Sequence, residues 1–147
     1  MGAVLSLPLP QTHTGWYAAI SDLLPSLQPS QLTAGQRSQL HSNELDKTLL
    51  IERIGARSGY YQKRRPEQPV WTIRCAITTD HRGCDRSRFI DVIFNSQVLR
   101  LNTRALARFQ SFPDRYVLPE RTSVAGRIIG NAVPPLMARS LVLNTVF

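Results

Sequence analysis

The segment IGNAVPP, residues 129–135, constrains the fold more than any other stretch of this 147-residue chain. Apolar residues at helical spacing lie on both sides of it, and its Gly-Asn pair is typical of the end of a helix. The two prolines that follow suit the first turn of another helix, because they lack only donors that a first turn leaves unused. The sequence therefore predicts two helices with exposed backbone between them, at Asn131, Ala132 and Val133.

The charge of the chain is positive and unevenly distributed. The formal net charge is +8, and 16 of the 18 basic residues are arginine. Residues 51–104 hold eleven of the basic residues and five of the ten acidic ones. Because arginine forms bidentate contacts with phosphates and guanine edges, this pattern favours a nucleic-acid surface. A basic surface that serves only solubility is the alternative.

The first half of the chain predicts one helix, a linker and one strand. Apolar residues from Trp16 to Leu24 recur at helical spacing, and Pro25 ends the run. Residues 28–47 are polar and predict a linker with one short helix at 30–40. The apolar-charged mixture at 48–57 predicts a strand, and the segment 58–69 predicts a loop.

The second half predicts strands followed by helices. Residues 70–80 are rich in strand formers, and 89–101 predict two strands around an Asn95-Ser96 turn. Asn102 is placed to cap a helix that Pro113 ends. Thr122 or Ser123 is placed to cap the next helix, with inward residues Val124, Ala125, Ile128 and Ile129. The final helix has Leu136, Met137, Ser140 and Leu141 in phase. The fold class predicted is mixed α/β.

Two neighbouring segments carry a resemblance to a known family. The segment VLRLNTRALARFQSFPDRYVLP (98–119) resembles the ninth motif of the DNA cytosine-5 methyltransferases, and GRIIGNAVPPLMARSL (126–141) resembles their tenth. The segment PVWTIRCAITTDHRG resembles the P-x-x-T-I element that closes the target-recognition region. Two positions depart from the ninth motif: Ala105 stands where the family has Glu, and Ser111 where it has Gly.

The resemblance implies an organisation for the chain. Residues 1–14 are a leader, 15–47 a helix and linker, 48–101 a small β-rich target-recognition part, and 102–147 the helices of the last two motifs. Those helices would complete a Rossmann-like methyltransferase domain. In the family the tenth motif completes the cofactor pocket, which assigns Asn131, Ala132 and Val133 to S-adenosylmethionine. A helix cap without a ligand is the alternative for this segment.

The catalytic elements of the family are not found in this sequence. Cys75 follows Arg74 and Cys84 follows Gly83, so neither belongs to the Pro-Cys motif that supplies the nucleophile. The sequence has no Glu-Asn-Val segment and no glycine-rich loop. We therefore expect no catalytic residue in this chain, which would act with a catalytic half on a separate chain.

Basic and polar residues in three places are candidates for binding duplex DNA. They are Lys63, Arg64 and Arg65, then Arg82, Arg86 and Arg88, and finally Arg104, Arg108 and Gln110 of the ninth motif. A solvated charge run is the alternative for the first group. For the last group it is a structural role, with Arg108 bridging to Asp114 or to backbone carbonyls.

The remaining expectations concern partners and location. His13, His41 and His81 are scattered along the chain and only two cysteines are present, so no metal site is predicted. No apolar run is long enough to span a membrane, and the cytoplasm is the expected compartment. The rival functions are a non-catalytic DNA-binding or regulatory remnant of a methyltransferase and a basic protein-interaction domain.

Overall fold

The computed structural model describes residues 4–5, 13–54, 60–73 and 89–146. In these ranges the strands are β1 Val4–Leu5, β2 Gln28–Pro29, β3 Leu49–Ile54, β4 Tyr60–Arg64, β5 Phe89–Phe94, β6 Gln97–Arg100 and β7 Thr145–Val146. The α-helices are α1 Trp16–Ile20, α2 Ala34–Ser38, α3 Ser42–Leu45, α4 Thr103–Phe109, α5 Thr122–Asn131 and α6 Pro135–Leu143, and a 3-10 helix spans Leu24–Ser26. The mixture confirms the predicted α/β class.

A five-stranded antiparallel sheet in the order β2-β6-β5-β3-β4 forms the centre of the fold. Leu50 pairs with Val92, and both point into the larger core beside Trp16 and Leu106. Ile51 lies on the opposite face and packs with Ile93 and Leu40 in a smaller core. Because apolar side chains cover both faces, the central strands are apolar at consecutive positions instead of alternating.

The hairpin between β5 and β6 confirms the predicted turn at Asn95-Ser96. The two residues have φ angles of 49° and 59°, which a two-residue hairpin of the I′ type requires at both central positions. Phe94 pairs with Gln97 directly across the turn. The predicted strand at 48–57 is also confirmed over Leu49–Ile54.

The predicted loop at 58–69 is wrong over Tyr60–Arg64, which is strand β4, and is confirmed over 65–69, where the chain turns. This strand lies at the edge of the sheet and pairs only with β3 among the described strands. Charged side chains suit an edge strand, so the basic run that suggested a loop is compatible with pairing. The predicted strand at 70–80 is not formed at 70–73, and its remainder lies outside the described residues.

The amino-terminal part holds more structure than the linker that was predicted. Helix α2 confirms the short helix at 30–40, and the Thr33 hydroxyl caps it by accepting a hydrogen bond from the Gln36 N–H at 3.2 Å. Helix α3 and strand β2 were not predicted. Strand β2 pairs with β6, a contact distant in sequence that local patterns do not reveal.

Helix α1 docks on the turn that follows β4. The Trp16 N–H donates to the Gln68 carbonyl at 3.0 Å, and the Tyr17 N–H donates to the Pro66 carbonyl at 3.2 Å. A Cβ on Gly15 would lie 2.4 Å from the Pro66 carbonyl oxygen, so this close approach requires glycine. Helix α1 ends at Ile20, and Pro25 lies in the separate 3-10 helix that follows.

Helix α4 begins as predicted and ends earlier than predicted. The Asn102 carboxamide oxygen accepts a hydrogen bond from the Ala105 N–H at 2.8 Å and caps the helix. The helix ends at Phe109, before Pro113, because Ser111 takes a left-handed conformation with φ 58°. Ala105 is fully buried in the core, where the methyl group makes apolar contacts that an ionised glutamate could not.

Helices α5 and α6 correct three predictions. Arg121 precedes α5 with no side-chain cap, so neither Thr122 nor Ser123 is the cap. Val124 and Ile128 are 40% and 37% exposed, while Ala125 and Ile129 are buried. Helix α5 continues through Gly130 and Asn131, and the break lies after Asn131. Pro134 prevents the helix from continuing, because it drives Val133, the residue before it, towards extended backbone. Ala132, the C-cap residue, is already extended.

Candidate functional site

Arg108 on α4 joins three parts of the chain. Its Nε and one Nη donate to the two carboxylate oxygens of Asp114 at 2.8 and 2.6 Å. The other Nη donates to the Asp22 carboxylate at 2.5 Å and to the Ala19 carbonyl at 3.4 Å. The guanidinium therefore fastens α1 and its following turn to α4, which is the structural alternative for this residue.

The ion pairs of Arg108 shift the pKa values of their members. Hydrogen bonds from Arg108 lower the pKa of both the Asp22 and the Asp114 carboxyl. Hydrogen bonds to Asp114 and Asp22 raise the pKa of Arg108. Because both carboxylates are largely exposed, solvent screens these pairs and their contribution to stability is modest.

Gln110 and Arg104 also make contacts inside the chain. The buried Gln110 side chain donates through Nε2 to the Ile73 carbonyl at 3.5 Å. This contact holds the P-x-x-T-I element against the end of α4. Arg104 donates through one Nη to the Tyr116 carbonyl at 3.0 Å, and its other Nη is buried without a hydrogen-bond partner in the described part of the chain. The segment that resembles the ninth motif thus makes scaffolding contacts.

The three consecutive basic residues at 63–65 do not share one face. Lys63 and Arg64 alternate along β4, and Arg65, just after the strand, lies with Lys63. Arg64 lies over the Trp71 ring, with its guanidinium carbon 5.3 Å from the ring centroid. The Arg64 carbonyl accepts a hydrogen bond from the Trp16 indole at 3.3 Å. Arg64 therefore packs at the edge of the larger core, whereas Lys63 and Arg65 lie on the opposite face of the sheet.

Lys63 and Arg65 line an open groove of about 560 Å³ together with Lys47 and Gln68. Glu44 of α3 also lines it and forms an ion pair with Lys63. Burial raises the pKa of the Glu44 carboxyl, but hydrogen bonds from Lys63 and from the His41 N–H outweigh burial and lower it. Sequence reasoning missed Lys47, Glu44 and Gln68, although a strand at 60–64 would have indicated which basic residues face together.

Asn131, Ala132 and Val133 lie where the two last helices meet. The Ala132 N–H donates to the Ile129 carbonyl at 3.3 Å and closes α5, so it is not available to a ligand. The Asn131 side chain is exposed, and Val133 is 59% exposed. Within the described ranges no acceptor meets the Val133 N–H. The segment therefore presents one amide side chain and one free backbone donor.

Helices α5 and α6 expose an apolar surface around this segment. No residue of α6 is buried. The members of this apolar face are Val124, Ile128, Val133, Leu136, Met137, Val142 and Leu143, which are 37–72% exposed. This many exposed large apolar side chains on two consecutive helices suits a surface that another protein segment covers.

Arg82, Arg86 and Arg88 lie outside the described residues, as do His81, Cys75 and Cys84. Among the residues that the structure does describe, no group of three or more His, Cys, Asp or Glu side chains could hold a metal ion. No helix within the described ranges is long and apolar enough to cross a membrane.

Comparison with known proteins gives a family match over most of the chain. The family model for C-5 cytosine-specific DNA methylase matches residues 12–146. The Type II methyltransferase M.AgeI of Thalassovita gelatinovora is 37% identical over 86 residues, which are 55% of this chain and 17% of that protein. The match thus spans less than a fifth of the relative's length. No solved structure matches the chain significantly.

The contacts of Arg108 predict a stability effect that depends on pH. Replacing Arg108 with Ala should lower Tm by about 2–4 °C at neutral pH, the effect of a screened ion-pair network in a domain of this size. The contribution is full above about pH 4, the ordinary pKa of Asp, and is lost as the pH falls through the lowered pKa values of the folded state.

Thermal unfolding of Arg108→Ala and wild type between pH 2 and pH 7 measures this effect. Arg127→Ala, which changes an exposed arginine on α5, is the matched control and should leave Tm unchanged. An Arg108→Ala difference that persists at pH 2 would show that packing of the side chain, and not its ion pairs, is responsible.

Proposed function

Because the chain belongs to the C-5 cytosine-specific DNA methylase family, we propose that it is the carboxyl-terminal portion of a DNA (cytosine-5)-methyltransferase. In this role it recognises duplex DNA and completes the S-adenosylmethionine pocket of a catalytic half. The observation that carries the proposal is the apolar face of α5 and α6, which surrounds the tenth motif and lacks a covering layer in the described residues.

We assign this apolar face to contact with the catalytic half, because that half must supply the catalytic elements that this sequence does not contain. The nucleophilic cysteine, the Glu-Asn-Val segment and the glycine-rich loop are not found in this sequence. A half that carries them would contain the Rossmann-like sheet, and its apolar surface would cover Leu136, Met137 and their neighbours. Burial of such side chains stabilises an interface by roughly 25 cal/mol for each Å² of apolar area.

The residues at the break between α5 and α6 suit the amino-acid end of S-adenosylmethionine. The exposed Asn131 amide offers a donor and an acceptor, and the Val133 N–H offers a further donor for a carboxylate. When bound, S-adenosylmethionine supplies the methyl group. The part of this chain is to bind and orient the cofactor, with Asn131 and Val133 as direct contacts and Ala132 as a spacer whose N–H closes α5.

DNA binding is assigned to the groove along β4. Lys63, Arg65 and Lys47 form one cationic surface there, and phosphate contacts of this kind give affinity that falls with salt. Arg82, Arg86 and Arg88 remain part of the proposed DNA surface. We assign Arg64, Arg104, Arg108 and Gln110 to support of the recognition region, because their contacts lie within the chain.

The proposed enzyme acts in a restriction–modification system in the cytoplasm, with the target cytosine flipped out of the duplex. This chain contributes recognition and cofactor binding, while the catalytic half contributes the covalent chemistry. A remnant that only binds DNA would share the groove along β4, but it would not need the cofactor contacts at the break.

The alternation along β4 predicts which basic residues determine the salt dependence of DNA binding. Replacing Lys63 and Arg65 together with Ala should flatten the slope of log K against log salt by about two units, close to one for each lost phosphate contact. Arg64→Ala is the matched control and should keep the slope, since its guanidinium stacks on Trp71. Binding of duplex DNA measured from 50 to 300 mM salt, about the range over which such slopes are resolved, checks both.

Either of two results would contradict this assignment. If Arg64→Ala flattens the slope as much as the double replacement, the three residues act together and the strand alternation is irrelevant. If no variant changes the slope, DNA binds elsewhere on the protein.

The cofactor assignment predicts that Asn131→Ala weakens S-adenosylmethionine binding in the assembled enzyme. The cofactor's amino-acid end is charged, so loss of one hydrogen bond should weaken binding by roughly 1.5–3 kcal/mol, about tenfold or more. Titration calorimetry on the assembly measures the affinity, and Tm is measured on the same samples. Asn43→Ala, at an exposed site on α3, is the control. Unchanged affinity with a lower Tm would make Asn131 a structural residue only.

A further inference from the structure

Ser111 holds an unusual position between the two motifs. It follows α4 with φ 58°, a left-handed conformation that costs most residues free energy and costs glycine little. Its hydroxyl oxygen accepts a hydrogen bond from the Leu136 N–H of α6 at 3.1 Å, across 25 residues of sequence. The left-handed backbone of Ser111 therefore places its hydroxyl against α6, a helix in a different segment of the chain.

The first backbone donor of α6 relies on an acceptor from another segment, because the helix has no side-chain cap of its own. Pro134 occupies the cap position and has no side-chain hydrogen bond to the helix. Pro135 has no N–H, so Leu136 is the first residue of the helix with a backbone donor. Because no residue of α6 is buried, packing within the described part of the chain does little to fix where the helix starts.

We propose that Ser111 is a positioning residue of the cofactor pocket. Its hydroxyl belongs to the segment after α4, yet it caps α6 and fixes the start of that helix. Through the rigid Pro134-Pro135 pair it also fixes the exposed backbone of Val133. This inference rests on the proposed function, since it is in the assembled enzyme that Asn131 and Val133 meet S-adenosylmethionine.

The left-handed backbone at Ser111 allows positioning to be separated from stability. Ser111→Ala removes the hydroxyl and keeps the unfavourable backbone. Ser111→Gly removes the hydroxyl and relieves the backbone, so the two effects of that variant on Tm oppose each other. If Ser111 only stabilises the fold, Ser111→Gly should leave cofactor binding unchanged. If the hydroxyl positions α6, glycine should be as harmful to cofactor binding as alanine.

The experiment measures amide hydrogen exchange at Leu136 by NMR in the full chain, and S-adenosylmethionine affinity and Tm in the assembled enzyme. Both variants should lower the protection of the Leu136 N–H about fivefold to tenfold, the range expected for loss of a helix cap. Both should weaken cofactor binding about threefold to tenfold. Tm should fall for Ser111→Ala and stay near the wild-type value for Ser111→Gly. Ser123→Ala, at an exposed serine of α5, is the control for all three measurements.

The outcomes separate this inference from the function on which it rests. Unchanged Leu136 protection in both variants would show that Ser111 does not cap α6. Lost protection with wild-type cofactor affinity in Ser111→Gly would show a cap that positions nothing. Failure of the wild-type assembly to bind S-adenosylmethionine would instead overturn the proposed function, while the exchange measurement would still decide whether the cap exists.

Discussion

The carboxyl end of α4 is the junction on which the rest of the structure depends. Within five residues, Arg108 binds α1 and Asp22, Gln110 binds the Ile73 carbonyl, Ser111 binds α6, and Phe112 packs into the larger core. Each contact reaches a different part of the chain. These contacts exist together because the helix stops at Phe109 and the left-handed residue Ser111 turns the chain sharply. The segment 98–119 therefore connects the sheet to the last two helices.

Two exposed surfaces of the protein differ in their chemistry. The groove along β4 is cationic and lies on the face of the sheet that α2 and α3 cover. The surface of α5 and α6 is apolar and carries the break at Ala132 and Val133. A cationic groove suits a phosphate backbone, and an apolar surface suits a protein layer. The difference in chemistry is what the proposed division between DNA recognition and assembly with a catalytic half requires.

Local signals in the sequence predicted local structure well. The Asn102 cap and the Asn95-Ser96 turn each depend on a few neighbouring residues, and both formed as predicted. Strand β4 was missed because its pairing with β3 is a property of the sheet, and its basic residues resemble a solvated loop. The inward positions of Val124 and Ile128 were wrong because an apolar stripe does not show whether residues of the same chain cover it.

The candidate site was predictable only where it depends on residues that are neighbours in sequence. The two motifs located the break between the last helices, but its position after Asn131 depends on the prolines and not on the Gly-Asn pair. The groove could not be predicted from the sequence, since Lys47 and Lys63 belong to different parts of the chain that only the fold brings together. Ser111 departs from the motif that its segment resembles. Its contact with Leu136 joins two segments, so no pattern within either one indicates it.

Reconstitution of methyl transfer tests the central claim most directly. The neighbouring reading frame, if it encodes the Pro-Cys motif, the Glu-Asn-Val segment and the glycine-rich loop, supplies the candidate catalytic half. Labelled S-adenosylmethionine and duplex DNA are incubated with this chain, with that half, and with the two together. We expect methylated cytosine with the mixture and none with this chain alone. Transfer by this chain alone, or no transfer by a mixture that forms a stable complex, would contradict it.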